Sequence, residues 1–186
     1  MTSNPSLSLL TSHLTLLKNT ELTMAEYKIV DPSAIHVKGM ASTDICGLHA
    51  LLKQEGCIDS ENLFSDREKA IALDGIQERL AQRSHTDKQA SADMLICIAN
   101  GRYVLADAKF RQENVKNIST SELESKLVCS KSIVESYDYT FANAFYVLFT
   151  KRILRPTQYN ILKRKFFGRP QYRFMNALQF YELFDR

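Results

Sequence analysis

Two stretches of the chain carry apolar residues at helical spacing. The first lies over residues 65–83, where apolar side chains recur every three or four positions: Ala70, Leu73, Ile76 and Leu80. This spacing is typical of an amphipathic helix with one buried side. Ser65 and Glu68 have the spacing of a capping box, so we expect this helix to begin near Ser65. A second helix is predicted over residues 119–133, where the cap would lie within residues 119–121.

Two apolar runs, over residues 94–99 and 103–110, lie between these helices. The dipeptide Asn100-Gly101 separates them and is a strong signal for a β-hairpin. A further apolar run over residues 144–150 predicts a strand after the second helix. Strands that are apolar on both faces belong in a sheet that is covered on both sides. The order helix, hairpin, helix, strand therefore predicts an α/β domain with a central mixed sheet flanked by helices.

The N-terminal part of the chain has weaker patterns. Short strand-like runs occur at residues 27–30 and 34–37, and the stretch over residues 45–52 predicts a short helix. Residues 1–23 are rich in Ser, Thr and Leu and lack the basic start and the cleavage signature of a signal peptide. We therefore expect a flexible N-terminal extension over residues 1–23 and a single domain over residues 24–186.

The composition is that of an ordinary globular domain, with 45% hydrophobic residues, 24% charged residues and a net charge of +3. The four cysteines include no CxxC pair, which fits a reducing, cytoplasmic location. No apolar stretch approaches the roughly 20 residues that span a bilayer, so we expect no membrane association. A zinc site at Cys46, His49 and Cys57, or a cysteine protease built on Cys46, would lack identifiable further residues.

The positive charge is concentrated near the C-terminus, because residues 151–181 contain eight basic residues and no Asp or Glu. The eight are Lys151, Arg152, Arg155, Lys163, Arg164, Lys165, Arg169 and Arg173. The aromatic residues interleaved with them are Tyr159, Phe166, Phe167, Tyr172 and Phe174. Such a segment can bind nucleic-acid phosphates, and its aromatic rings can stack on unpaired bases. The alternative is a solvated basic helix that begins at Pro156 and packs its aromatic side chains into the core.

Charged residues interrupt the predicted hairpin. Asp107 and Lys109 lie two positions apart, so they project from the same face of their strand. Asp93 precedes the partner strand, and the hairpin brings Asp107 back towards it. A strict two-residue turn would point Asp93 to the opposite face, whereas a three-residue loop over residues 99–101 would set Asp93 directly opposite Asp107. We therefore expect an odd-length loop, a bulge or a bend at Asp93.

Two carboxylates and a lysine at one end of a hairpin have a specific chemical use. Carboxylates bind Mg²⁺, which prefers oxygen ligands and keeps several waters. The metal ion lowers the pKa of a bound water and neutralises charge on a phosphate. A lysine beside it can orient that water or stabilise the transition state. The alternative without a functional role is that Asp107 and Lys109 reach solvent at a strand end and that Asp93 is an acidic loop residue.

Asp93, the hydrophobic hairpin and the tripeptide Asp107-Ala108-Lys109 resemble the motif of the PD-(D/E)XK nuclease superfamily, which includes restriction endonucleases and Holliday-junction resolvases. The resemblance covers about residues 66–150. It implies a restriction endonuclease-like αβββαβ core over about residues 60–150, with N- and C-terminal additions, and makes residues 151–181 a basic C-terminal segment.

The resemblance also implies roles for individual residues. Asp93 and Asp107 would bind Mg²⁺ or Mn²⁺, Lys109 would be the catalytic lysine, and the carbonyl group of Ala108 would add a ligand. The helix before the hairpin often supplies another acid, for which Glu68 is our choice and Glu78 the alternative. The expected function is metal-dependent cleavage of nucleic acid, with DNA favoured over RNA. A two-fold dimer would suit cleavage of both strands of a duplex.

A non-catalytic function is the second hypothesis. A nuclease-like fold that has lost its chemistry can serve as a binding module for a protein or a nucleic acid, for example as an immunity or assembly partner. The absence of divalent-metal binding, together with a tight protein partner, would favour this function.

Overall fold

The computed structural model describes residues 27–58, 63–99, 101–134 and 140–184. The expected N-terminal extension over residues 1–23 and the turn residue Asn100 lie outside the described residues. Within the described ranges, no helix is long and apolar enough to cross a membrane.

The described strands form one mixed sheet in which they follow one another in chain order. They are β1 (Ile45–Gly47), β2 (Lys69–Ala72), β3 (Met94–Ile98), β4 (Arg102–Ala108), β5 (Thr140–Phe149) and β6 (Tyr172–Asn176). Strands β1 to β4 pair antiparallel, whereas β5 pairs parallel to β4 and β6 pairs parallel to β5. The prediction of an α/β fold with a central mixed sheet is confirmed.

Helices cover both faces of this sheet. They are α1 (Leu48–Gln54), α2 (Leu73–Ser84), α3 (Thr120–Ser132), α4 (Pro156–Lys165) and α5 (Ala177–Tyr181). Apolar residues of α2, α3 and α4 pack in one hydrophobic cluster, and those of α1 and α5 pack in a second cluster. We call these sides of the sheet the α3 face and the α1 face.

Side chains of β4 alternate between the two faces, as the period of a strand requires. Tyr103 and Leu105 belong to the cluster on the α3 face, and Val104 and Ala106 belong to the cluster on the α1 face. Both faces are apolar because both are covered by helices. The same alternation directs Asp107 to the α3 face, where its carboxyl group is fully buried.

The predicted helix over residues 65–83 is wrong in its first part. Ser65 and Glu68 do interact, since the backbone N–H of Ser65 donates to the Glu68 carboxylate at 2.6 Å. This contact closes a turn that leads into β2, and the helix begins only at Leu73. Ala70 and Ile71 are both fully buried in adjacent positions, so they pack on opposite faces of a sheet, whereas on a helix they would point in directions about 100° apart.

Other elements differ from expectation in smaller ways. The runs at residues 27–30 and 34–37 contribute only isolated bridges, from Ile29 to Ile98 and from Val37 to Val134. The stretch predicted as a helix over residues 45–52 divides into β1 and α1.

Helix α3 and strand β5 agree better with the sequence prediction. Helix α3 confirms the helix predicted over residues 119–133, and Ser119 accepts the N–H of Glu122 as its cap. Strand β5 begins at Thr140, four residues before the apolar run that predicted it.

Candidate active site

The β3–β4 hairpin sets Asp93 and Asp107 side by side. Met94 pairs with Ala106, and Ile98 pairs with Arg102, so the connection spans residues 99–101. This three-residue loop confirms the odd-length loop expected from the sequence. Gly101 has a left-handed φ of 65°, which glycine adopts without steric cost. Continuing the same register by one residue places Asp93 opposite Asp107 on the α3 face.

Asp107 lies between two ammonium groups. Its Oδ1 accepts a hydrogen bond from Lys126 of α3. Its Oδ2 lies 3.1 Å from Lys109 Nζ, but that approach lacks hydrogen-bond geometry, so this buried oxygen accepts no hydrogen bond. The carboxyl group therefore keeps one oxygen that is held only by an ion pair.

Asp93 is held at the end of β3 by its surroundings. Its Oδ2 accepts the backbone N–H of Ala108 at 2.6 Å, and its Oδ1 lies 3.5 Å from Lys126 Nζ. The residue before it is also fixed, because the N–H of Ala92 donates to the buried Ser130 hydroxyl of α3 at 2.8 Å. Helix α3 thus positions the start of β3 as well as the ammonium group that both aspartates share.

Lys109 completes the cluster beyond the end of β4. Its ammonium group donates to Glu122 of α3 at 2.8 Å and lies beside Asp107. The Lys109 side chain is only 12% exposed, whereas that of Glu122 is 46% exposed. Three carboxylates and two ammonium groups therefore meet in one place, with one net negative charge when all of them are ionised.

The electrostatics of the cluster follow from burial and from the two adjacent acids. Burial raises the pKa of Asp93 to about 7, and the negative charge of Asp107 adds to this effect. Burial also lowers the pKa of Lys126, but the carboxylates of Asp107 and Asp93 outweigh it, so this pKa lies above its ordinary value. Lys126 pairs more closely with Asp107 than with Asp93, so the negative charge of Asp93 is only partly compensated. The hydrogen bond from Lys109 lowers the pKa of Glu122.

Lys126 and Glu122 are the residues that sequence reasoning missed. They stand four positions apart on α3 and so share one side of that helix. Their spacing is the only local signal, and it is common to many solvated helix surfaces. Only the packing of α3 against β3 and β4 turns this side of the helix towards the aspartates.

The structure does not bring Glu68 to the cluster. Ala72 pairs with Met94, so Leu73 lies beside Asp93, and Glu68 lies five residues, or about 17 Å, away along the chain direction at about 3.3 Å per residue. Glu78 is solvent-exposed on α2. The negative charge of Glu55, at the end of α1, contributes to the raised pKa of Asp93.

The eight basic residues over residues 151–181 lie on the surface. Seven of them are exposed, and Arg169 is half-buried in an ion pair with Glu124 of α3 at 3.4 Å. Lys151 and Arg152 follow β5 at the same end of the sheet as Asp107, since Asp107 pairs with Val147. Most of the interleaved aromatic residues pack inward, but Phe167 is 90% exposed.

Among residues 27–58, 63–99, 101–134 and 140–184, no group of three or more His, Cys, Asp or Glu side chains is close enough to share a metal ion. The oxygen ligands within reach are two carboxylates and backbone carbonyl groups. Mg²⁺ is commonly bound by one or two carboxylates and completes its shell with water.

No protein-family model matches the chain, and no curated protein or solved structure is significantly similar to it.

Proposed function

We propose that the chain is a metal-dependent nuclease of the PD-(D/E)XK type, in which Asp93 and Asp107 bind Mg²⁺ or Mn²⁺. The observation that carries this proposal is the juxtaposition of the two aspartates on neighbouring strands, with Lys109 on the same face. Burying two like charges side by side is costly, and a divalent cation is a partner that offsets this cost.

The residues present fit a hard metal ion. The Oδ2 atom of Asp107 is buried and accepts no hydrogen bond, and Asp93 keeps a raised pKa that a cation would lower. When bound, the metal ion would lower the pKa of a coordinated water and neutralise charge on the phosphate. The motif implies the carbonyl group of Ala108, between Asp107 and Lys109, as a further ligand.

The remaining charged groups of the site would act on the substrate. Lys109 supplies a positive charge beside Asp107, where it would stabilise negative charge that develops on a phosphate. Glu122 holds the ammonium group of Lys109 in place through their 2.8 Å contact. Exposed Lys151 and Arg152, at the same end of the sheet, would bind the phosphates of the nucleic acid on either side of the cut.

The order of elements supports the same proposal. Strands β2, β3 and β4 form an antiparallel meander, and α3 connects β4 to the parallel strand β5. If α1 is taken as the first helix and α2 as an insertion between β2 and β3, this order agrees with the αβββαβ core that the motif implies. In this arrangement Glu55, at the end of α1, replaces Glu68 as the acid that the first helix contributes near the site.

The test combines metal binding with cleavage. Asp107→Asn should abolish both calorimetric Mg²⁺ or Mn²⁺ binding and the cleavage of plasmid and single-stranded DNA. Lys109→Gln should still bind the metal ion but should cleave at least about 100-fold more slowly, because it removes charge stabilisation of the transition state. Asp87→Asn, at an exposed loop aspartate, is the matched control and should behave as wild type. Full cleavage by Asp107→Asn would refute the proposal.

A second function is favoured by one specific contact. The ammonium group of Lys126 contacts both aspartates and so occupies the place between them that a cation would take. If this lysine replaces the metal ion permanently, the chain is a binding module on a nuclease-like fold, and the basic segment is its contact surface. Wild-type protein that binds neither Mg²⁺ nor Mn²⁺ at millimolar concentration would favour this function over the nuclease.

A further inference from the structure

The turn after α4 exposes one aromatic ring. Residues 166–169 form this turn, which we call the aromatic turn. Phe166 is buried in the core, whereas Phe167 beside it is 90% exposed. Gly168 has a left-handed φ of 77°, which lets the chain reverse direction directly after the exposed ring. The fold thus anchors the turn through one phenylalanine and presents the other to solvent.

The exposed ring stands among positive charges. Lys163, Arg164 and Lys165 form the last turn of α4 and are all exposed. No acidic residue occurs anywhere over residues 151–181. A ligand that covers Phe167 would therefore meet cationic side chains at its edge, which favours a polyanion.

Two contacts hold the aromatic turn against the neighbourhood of the candidate active site. Lys165 Nζ donates to the carbonyl oxygen of Lys116 at 2.8 Å, just before α3 begins. Arg169 pairs with Glu124, which lies two residues after Glu122 on α3. Since an α-helix is about 10 Å across, the turn lies roughly one helix width from the Lys109–Glu122 pair.

The chemistry of the turn suits an unpaired base rather than a duplex or a bilayer. Unpaired bases offer flat faces that stack on aromatic rings, whereas a duplex keeps those faces inside its own stack. Membrane-surface helices bury a whole apolar side. The other exposed large apolar residue of this part of the chain, Leu178, is on α5, which packs on the α1 face.

We propose that Phe167 stacks on an unpaired base of a nucleic acid while Lys163 and Arg164 bind the flanking phosphates. The substrate of the site is then single-stranded or carries unpaired bases near the cut. This inference rests on the nucleic-acid substrate proposed above and narrows its class.

The chain offers a direct reporter for this contact. It contains no tryptophan, so Phe167→Trp would introduce the only one, at the proposed stacking position and with the stacking capacity retained. Titration in EDTA prevents metal-dependent cleavage and isolates binding. Single-stranded oligonucleotides should quench the tryptophan fluorescence saturably, and the same oligonucleotides with abasic positions should quench it much less.

Phe167→Ala measures the contribution of the ring. We expect the affinity for single strands to fall roughly 5- to 150-fold, which corresponds to the loss of one base–aromatic stack of about 1–3 kcal/mol. The affinity for a blunt duplex should change less than about twofold, because phosphate contacts are retained. Leu178→Ala, which removes another exposed apolar side chain, is the matched control and should bind both substrates as wild type does.

Any of three results would overturn the inference. The first is an unchanged preference for single strands in Phe167→Ala. The second is a fluorescence change of Phe167→Trp on vesicles of phosphatidylcholine and phosphatidylserine but not on oligonucleotides. The third is equal cleavage of single strands by wild type and Phe167→Ala, which would leave the nuclease proposal standing. Binding of single strands that depends on Phe167, without any metal-dependent cleavage, would support the stacking contact and refute the nuclease proposal.

Discussion

Replacing Asp93 with asparagine should flatten the dependence of stability on pH. The pKa of Asp93 is about 7 in the folded protein, against 3.8 for the ordinary carboxyl group. Between these values the folded state keeps a proton that the unfolded state has released. Stability from this group is therefore fully present below about pH 4 and is lost as the pH rises through 7. Asparagine carries no titratable proton, and its side-chain oxygen can still accept the N–H of Ala108.

The size of the effect follows from the same shift. A difference of about three pKa units corresponds to about 4 kcal/mol between the two protonation states. Only about two of those units fall between pH 5 and pH 8, which leaves roughly 2–3 kcal/mol in that window. The Asp93 side chain is only 18% exposed, so solvent screens its charge weakly.

The assay is urea unfolding followed by far-ultraviolet circular dichroism, at pH 5 and pH 8, in EDTA. Wild type should lose roughly 2–3 kcal/mol more of its free energy of unfolding over this interval than Asp93→Asn loses. Asp87→Asn should keep the wild-type dependence. Equal slopes for wild type and Asp93→Asn would refute the reasoning, because the proton would then not reside on Asp93.

Two further substitutions test how α3 supports the site. Lys126→Met should lower the free energy of unfolding by about 3–5 kcal/mol in EDTA at pH 8, because it removes the ammonium group that the two buried aspartates share and leaves only Lys109 beside Asp107. Saturating Mg²⁺ should restore part of this loss. Identical free energies of unfolding with and without Mg²⁺ would contradict the expected metal binding. Ser130→Ala should cost about 1–3 kcal/mol, since the buried N–H of Ala92 loses its acceptor. Urea unfolding measures this as well, and an unchanged midpoint would show that the N–H finds another partner.

The hairpin and its loop could be predicted from sequence because local rules determine them. The apolar runs on either side of Asn100-Gly101 define two strands, and strand alternation fixes the faces of Asp107 and Lys109. The requirement that Asp93 share their face then predicted an odd-length loop, a bulge or a bend at Asp93, and the pairing of Ile98 with Arg102 confirms the odd-length loop. Helix α3 was equally accessible, since Ser119 is a local cap.

Strand β2 could not be predicted in the same way. Ala70 and Leu73 satisfy helical spacing, and the contact between Ser65 and Glu68 is real, so every local signal favoured a longer helix. The strand forms because Ile71 pairs with Leu95 on one side and with Ile45 on the other. Such pairing depends on residues far away in sequence, which override local propensity.

At the candidate site, tertiary packing decides which charged side chains meet, and the local sequence pattern does not. A buried ion pair contributes little to the stability of a protein, and apolar side chains of similar size often stabilise it more. Two aspartates and Lys109 nevertheless occupy the end of a largely apolar hairpin, where Lys126 of α3 contacts both aspartates, and Asp107 is fully buried. Local sequence rules are most often broken at functional positions. In the nuclease that we propose, Lys126 would partly compensate the two aspartates while no ligand is bound, and a divalent cation would compete with it for them.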